Sequence, residues 1–342
     1  MTGSLLLARR AGLGALVLSA LLAALVFGAA VGETRIPFAT VAQTVANRLW
    51  GAGFALDPID AGIVWNYRLS RAVVAAACGA ALAVSGTVLQ SLLRNALADP
   101  YLLGISAGAS SGAVAVAILG IGGGMLSLSL GALFGAVLAF ALVSGLAFLA
   151  GRGPVAIILA GIAGSQLFNA LTAFIVTRSA NAEQARGIMF WLLGNLSGVR
   201  WPDVWLAVPV ALVGLIVCLL HARALDAFAF GSDAAAALGI PVRRVRIVLI
   251  GATAVMTAVM VSIVGSIGFV GLVIPHAARL VVGVRHGALL PASALIGALF
   301  MIAADVLSRT IIPGQVLPIG VMTALVGAPA FALILIHRPV AR

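Results

Sequence analysis

The sequence predicts an all-α polytopic membrane protein of ten transmembrane helices, and three observations carry that reading. The 342 residues are 63% hydrophobic and only 8% charged, with a mean hydropathy of +1.22. A soluble domain keeps roughly half of its residues polar, so it has no means of hiding so much apolar surface. Uncharged runs of about twenty residues also recur along the chain, the length that crosses a hydrocarbon core about 30 Å thick. Ten such runs in succession leave lipid as the only solvent, and there helices satisfy their own backbone.

Residues 11–32 and 72–93 form the first two runs. Residues 100–151 carry no charge, too long a stretch for one helix, and "GIGGG" at 120–124 divides it into the third and fourth. Residues 153–177 and 204–222 are the fifth and sixth, and 247–284 divides near Gly265–Gly268 into the seventh and eighth. Residues 286–304 are the ninth. The tenth lies between Arg309 and Arg338 and starts after "PGQVLP", because Pro313 and Pro318 discourage an earlier helix. The N-terminal run also admits a cleaved signal peptide, with "ARR" as its basic region and Leu13–Ala30 as its apolar core, although an uncleaved span suits a run this long. Cys78 and Cys218 sit in apolar runs at no metal-type spacing and read as small packing residues.

With both termini in the cytoplasm, twelve of the twenty arginines fall inside and six of the nine acids fall outside. That bias obeys the positive-inside rule and fixes the orientation. The outer arginines then need a reason. "WNYRLSR" puts Arg68 and Arg71 three residues apart on one helical face, and Arg309 ends the ninth run on the same side. One reading has them snorkel and anchor helix ends; the other makes them an electrostatic socket for an acidic partner outside the membrane.

Several chemistries are excluded. All twenty basic residues are arginine, so no GxxxxGK[ST] loop and no Schiff-base lysine exists in this chain. Ion-coupled carriers place an ionisable group at mid-membrane, but the acid associated with a predicted span is Asp305, at the outer end of the ninth and one turn from Arg309, where a local pair is expected. His221, His276, His286 and His337 are scattered, with no HExxH or GxSxG pattern, and His276 is expected to bond to backbone rather than bind haem. Nothing points to an enzyme, a metal site or nucleic-acid binding. An ion-coupled secondary carrier is the competing reading, and a scaffold without transport is a third.

Residues 222–246, "ARALDAFAFGSDAAAALGIPVRRVR", are too polar to cross and too apolar for a plain linker. Ser232 or Asp233 is placed to cap a helix through Ala234 to Leu238, Gly239 to end it left-handed, and Pro241 to open the next element, which carries Arg243, Arg244 and Arg246. A short helix with a smooth alanine face suits a groove on another protein; a snug loop with a basic end is the plainer reading. In "RNALADPYLLGIS" (94–106), Arg94 agrees with the charge rule, Asn95 follows it, Asp99 is placed to cap the incoming helix and Pro100 to take its first position.

Together, "RNALADPYLLGIS", "DAAAALGIPV" and "GSIGFVGLVIPHAARL" (265–280) resemble the FecCD-type permeases of ABC importers, the group with a BtuC-like fold that moves cobalamin, haem and ferric siderophores; "LPIGVMTALVGAPAFALIL" (317–335) and "GAALAVSGTVLQ" (79–90) fit as well. The resemblance runs from about residue 30 to the end. It implies a single permease domain over 1–342 in the bacterial inner membrane, a second copy of the chain sharing a two-fold translocation path, two cytoplasmic ATPase subunits holding ATP and magnesium, and a periplasmic binding protein. This chain itself then needs no cofactor. The 225–244 loop corresponds to the segment that seats in the ATPase, with Asp233, Ala236, Leu238, Gly239, Ile240, Pro241 and Arg243 as the coupling residues. Arg68, Arg71 and Arg309 match positions that pair with glutamates of the binding protein.

The fifth run is expected to line the path, with Gly161 and Gly164 giving room and Ser165 and Asn169 facing the cavity; small-residue helix packing is the plainer reading of the same residues. Arg94, Asn95, Asp99 and Pro100 become a cytoplasmic hinge beside the ATPase contact, slightly less rigid because Ala96 stands where the family most often has proline. The overall pattern leans toward the haem branch, although selection among chelates is expected to rest mainly with the binding protein.

Overall fold

The computed structural model describes residues 17–32, 34, 36–151, 153–178 and 182–337. Arg9, Arg10, Arg35, Arg152, Arg338, Arg342 and both ends of the chain, on which part of the orientation rests, lie outside the described residues.

Every regular element among the described residues is helical. Helix α1 (Val17–Ala30) leads to α2 (Phe38–Trp50), which closes at Gly51 in the left-handed conformation. Then α3 (Pro58–Gly62), a π-helical segment (Ile63–Leu69) and α4 (Ser70–Leu92) run on as one rod. The rod starts before residue 70 because the Asp57 carboxylate accepts from the N–H groups of Ile59 and Asp60, with Pro58 in the first turn. A 3₁₀ turn (Pro100–Leu103) precedes α5 (Ile105–Leu119), α6 (Leu128–Leu149) and α7 (Pro154–Val176). The remainder is α8 (Ala182–Leu192), α9 (Trp201–Leu220), α10 (Ala222–Phe228), α11 (Ser232–Ala237), α12 (Val242–Val264), α13 (Val270–Val282), α14 (His286–Thr310) and α15 (Ile319–His337).

Among the described residues, six helices are long and apolar enough to cross a membrane: the α3–α4 rod, α6, α7, α9, α12 and α14. Four shorter apolar helices, α1, α5, α13 and α15, coincide with the other predicted runs. The break between α12 and α13 falls where the sequence placed it, at Gly265 (φ +75°) and Phe269 (φ +69°). Four helices among the described residues went unpredicted. Helices α2, α3, α8 and α10 lie in stretches whose charges and turn residues hide a short amphipathic period.

Helix α4 is the centre of the bundle, packed by α9, α12, α13 and α14. Its alanine and glycine face lets neighbouring backbones come close, as small residues do in membranes. At the crossing of α4 and α14, a Cβ on Gly79 would fall onto the Gly297 carbonyl, so any larger residue must part the two helices. Cys78 and Cys218 are buried within the same apolar core, as packing residues should be.

Candidate functional site

Two regions bear on function: a polar cavity among the helices and an exposed turn at one end of the bundle. A cavity of about 490 Å³ lies between α5, α7, α8 and the 265–269 break, within the range of small-molecule sites. Its polar lining is hydroxyl and amide only: Ser106, Ser110, Asn169, Thr172 and Ser266. Ser106 Oγ and Ser266 Oγ are 2.8 Å apart, which joins α5 to the break. Tyr101 fixes the break itself, its hydroxyl accepting from the Ile267 N–H at 2.8 Å and donating to the Ile267 carbonyl at 2.9 Å.

Asn169 lines this cavity, whereas Gly161, Gly164 and Ser165 do not. Ser165 is half-buried and outside the lining. Gly161 is buried against the 3₁₀ turn, where a Cβ would meet the Leu102 carbonyl, and Gly164 packs on Val143. Helix α7 therefore uses its glycines for close packing and its Asn169–Val176 stretch for the cavity. Ser106, Ser110 and Ser266 escaped the sequence reading, since serines in an apolar run give no hint of which face they occupy.

At one end of the bundle, α11 is an exposed helix held by a left-handed cap. The Gly239 N–H donates to the Ala236 carbonyl at 2.9 Å and the Ile240 N–H to the Ala235 carbonyl at 3.1 Å, with Gly239 at φ +80°. The N-terminal cap differs from expectation: Gly231 takes that position at φ +106° with no side-chain bond, and Ser232 Oγ instead accepts from Arg246 Nη2 at 2.9 Å. Ala235 faces inward, while Asp233, Ala236, Leu238, Gly239, Pro241 and Arg243 are exposed and Ile240 is half-buried. Phe230 and Leu238 are 80% and 73% exposed.

The 94–100 turn lies beside it. Arg94 adopts φ +50° after α4, with the Asn95 N–H returning to the Gln90 carbonyl at 3.1 Å, and its guanidinium reaches within about 3.4 Å of a Cβ position on Gly231. Asn95 Oδ1 accepts from the Leu97 N–H. Asp99 caps the 3₁₀ turn by accepting from the Tyr101 N–H at 2.8 Å, and Pro100 takes that turn's first position; α5 itself begins one residue after Gly104. Burial pushes the Asp99 carboxyl up to about 6, the Tyr101 N–H drawing it part of the way back.

At the opposite end, Arg68, Arg71 and Arg309 are held within the chain. The three are 7%, 8% and 7% exposed and are engaged within the chain. Arg71 Nε donates to Asp305 Oδ1 at 2.6 Å, and Arg309 Nη2 lies 2.9 Å from Asp305 Oδ2 as an ion contact rather than a hydrogen bond. Arg309 also donates to the carbonyls of Gly28 (3.0 Å) and Val31 (2.8 Å), and Arg68 to that of Ala30 (2.8 Å). These are the orphan carbonyls at the C-terminus of α1, where a cation satisfies both the bonds and the helix dipole. Charged ends of span-flanking helices thus find partners inside the fold.

His276 bonds to backbone as expected, its Nδ1 lying 2.8 Å from the Leu272 carbonyl within α13. No group of three or more His, Cys, Asp or Glu that would hold a metal ion exists among the described residues.

Comparison with known proteins agrees with this architecture. The chain matches the FecCD transport family over residues 20–337. It is 43% identical to the Halobacterium salinarum cobalamin import system permease protein BtuC over 81% of this chain and 74% of that one. It is 40% identical to the Bacillus subtilis ABC transporter permease YvrB over 94% and 92% of the two chains. Among solved structures, an inward-facing metal-chelate type ABC transporter matches with a TM-score of 0.82 at 28% identity, over 94% of this chain and 98% of the other. With its helical bundle and nearly its whole length matched, this chain is a member of the FecCD transport family, an ABC importer permease.

Proposed function

We propose that the chain is one half of the membrane channel of an ATP-driven importer, working as a homodimer in the bacterial inner membrane with two ATPase subunits and a secreted binding protein. The observation that carries this is α11: a short helix, fixed by its cap, that leaves Leu238 73% and Phe230 80% exposed at the end where Arg94 and the Arg243–Arg246 cluster gather. Two large apolar side chains on a capped turn of small residues fit a groove in a partner. The partner would be an ATPase, because no phosphate-binding lysine exists in this sequence. Residues 225–244 are then the coupling loop of a single ten-span permease domain with both termini cytoplasmic, and the 94–100 turn is the hinge beside it.

The cavity around Asn169 and Ser266 contributes to a path with neutral polar walls and no fixed charge in its lining. Such walls suit a cargo that must pass without tight binding. The names of the relatives favour a corrinoid over haem or a siderophore as cargo. ATP binding draws the ATPases together, moves the coupling loops and opens the path to one side; hydrolysis resets it. At the outer face, an acidic docking group would compete with Asp305 for Arg71 and with the α1 carbonyls for Arg309.

Uptake into proteoliposomes carrying the chain, a candidate ABC ATPase and a candidate binding protein tests this, with cyanocobalamin, haemin and a ferric siderophore offered in turn. ATP-dependent accumulation of one chelate, lost in Leu238→Arg, is expected. Uptake driven by a proton gradient with no ATPase present would replace this reading with the ion-coupled carrier.

A further inference from the structure

A hydrogen-bonded chain behind the exposed turn joins three elements. His286, 4% exposed, opens α14. Its N–H donates to Asp226 Oδ1 on α10 at 2.9 Å, and its Nδ1 lies 2.7 Å from the same oxygen. Its Nε2 lies 2.6 Å from Ser91 Oγ in the last turn of α4. An acid at the N-terminus of a helix satisfies an orphan N–H and the helix dipole together, so Asp226 bolts α10 to the end of α14. The other charged group that bears on the ring is Arg279 from α13, while α4 brings only the Ser91 hydroxyl.

From that end, α4 and α14 are zipped along their whole length. Thr87 Oγ1 donates to Ser293 Oγ at 3.0 Å, Gly79 and Gly297 meet backbone to backbone, and Arg71 closes on Asp305 at 2.6 Å at the far end. A pair fixed at both ends and in the middle moves as one body, because packed cores shift between discrete arrangements and do not stretch. Asp226 stands on the helix that leads through Ala229–Gly231 into α11.

We infer that His286 is a positioning residue that ties α10 and α11 to the α4–α14 pair, so that displacement of the exposed turn reaches the arginine cluster at the opposite face. This rests on the ATP-driven importer reading. Imidazole is the side chain that offers one nitrogen to each neighbour. Asparagine places its amide where Nδ1 stands and keeps the Asp226 bond, whereas glutamine reaches the Nε2 position and keeps the Ser91 bond.

The test compares His286→Asn, His286→Gln and His286→Ala in the reconstituted complex, reading cyanocobalamin and haemin uptake per ATP hydrolysed together with retention of the ATPase subunit. His286→Asn is expected to stay within about threefold of wild type, while Gln and Ala lower uptake per ATP at least tenfold with basal hydrolysis and assembly kept. Equal ratios in Asn and Gln, wild-type ratios in all three, or equal loss of the ATPase subunit from all three would make His286 a packing residue and overturn the inference. Absence of ATP-dependent uptake in wild type would instead remove the importer reading, and this inference with it.

Discussion

Arg71 and Asp305 are 234 residues apart in sequence, and Arg71 Nε meets Asp305 Oδ1 at 2.6 Å with the two side chains 10% and 1% exposed. Removing one partner of such a pair leaves the other charge buried and uncompensated, which costs about 3–5 kcal/mol. Asp305→Ala is therefore expected to unfold at markedly lower temperature in detergent. Asp305→Asn, which keeps an acceptor for Arg71, should lose less stability and retain ATP-driven uptake; loss of uptake in a stably folded Asp305→Asn protein would favour an ion-coupled role for this carboxylate.

Arg309 caps α1 through the Gly28 and Val31 carbonyls. Charged hydrogen bonds of this kind contribute about 1.5–3 kcal/mol each at most. Arg309→Gln should loosen the end of α1, read as faster proteolysis between α1 and α2 and a lower melting temperature with no binding protein present. A pure docking residue would leave both unchanged and alter only the salt dependence of association.

Gly239 sits at φ +80° with open space around its Cα. Gly239→Ala meets no clash, so its cost is the left-handed backbone alone, about 1 kcal/mol. The fold should persist while α11 frays and retention of the ATPase subunit weakens about fivefold. Unchanged retention would remove α11 from the contact.

Asp99 titrates at about 6 instead of the usual 3.8 because burial disfavours its charged form. A carboxyl raised in the fold contributes stability that is full below about pH 4 and is lost as pH rises through about 6, on the order of 2 kcal/mol. Amide hydrogen exchange of Tyr101 and Leu102 should therefore speed up across that window beyond its intrinsic pH dependence. Asp99→Asn should flatten the excess.

Much of the fold was legible because lipid imposes a length on any helix that crosses it. The break at Gly265–Phe269 and the left-handed stop at Gly239 were readable for a similar reason, since conformational freedom of glycine is a local property. Short amphipathic helices such as α2 and α8 were not, because their period is masked by flanking charges and turns. Of the candidate path residues, Asn169 lies on the cavity while Gly161 packs, and spacing along one helix has no knowledge of which neighbour each face meets.

By itself the sequence determined the solvent, the succession of spans, the absence of a phosphate-binding lysine and the turn chemistry at 94–100 and 239, all of which follow from composition and local backbone preference. Tertiary structure decided what the charges do. Arg68, Arg71 and Arg309 looked outward in sequence but are satisfied by Asp305 and by the carbonyl end of α1, and His286 finds Asp226 and Ser91 on two other helices. The reason is the low dielectric of the bundle, in which a polar group must find a partner wherever the packing brings one, however distant in sequence.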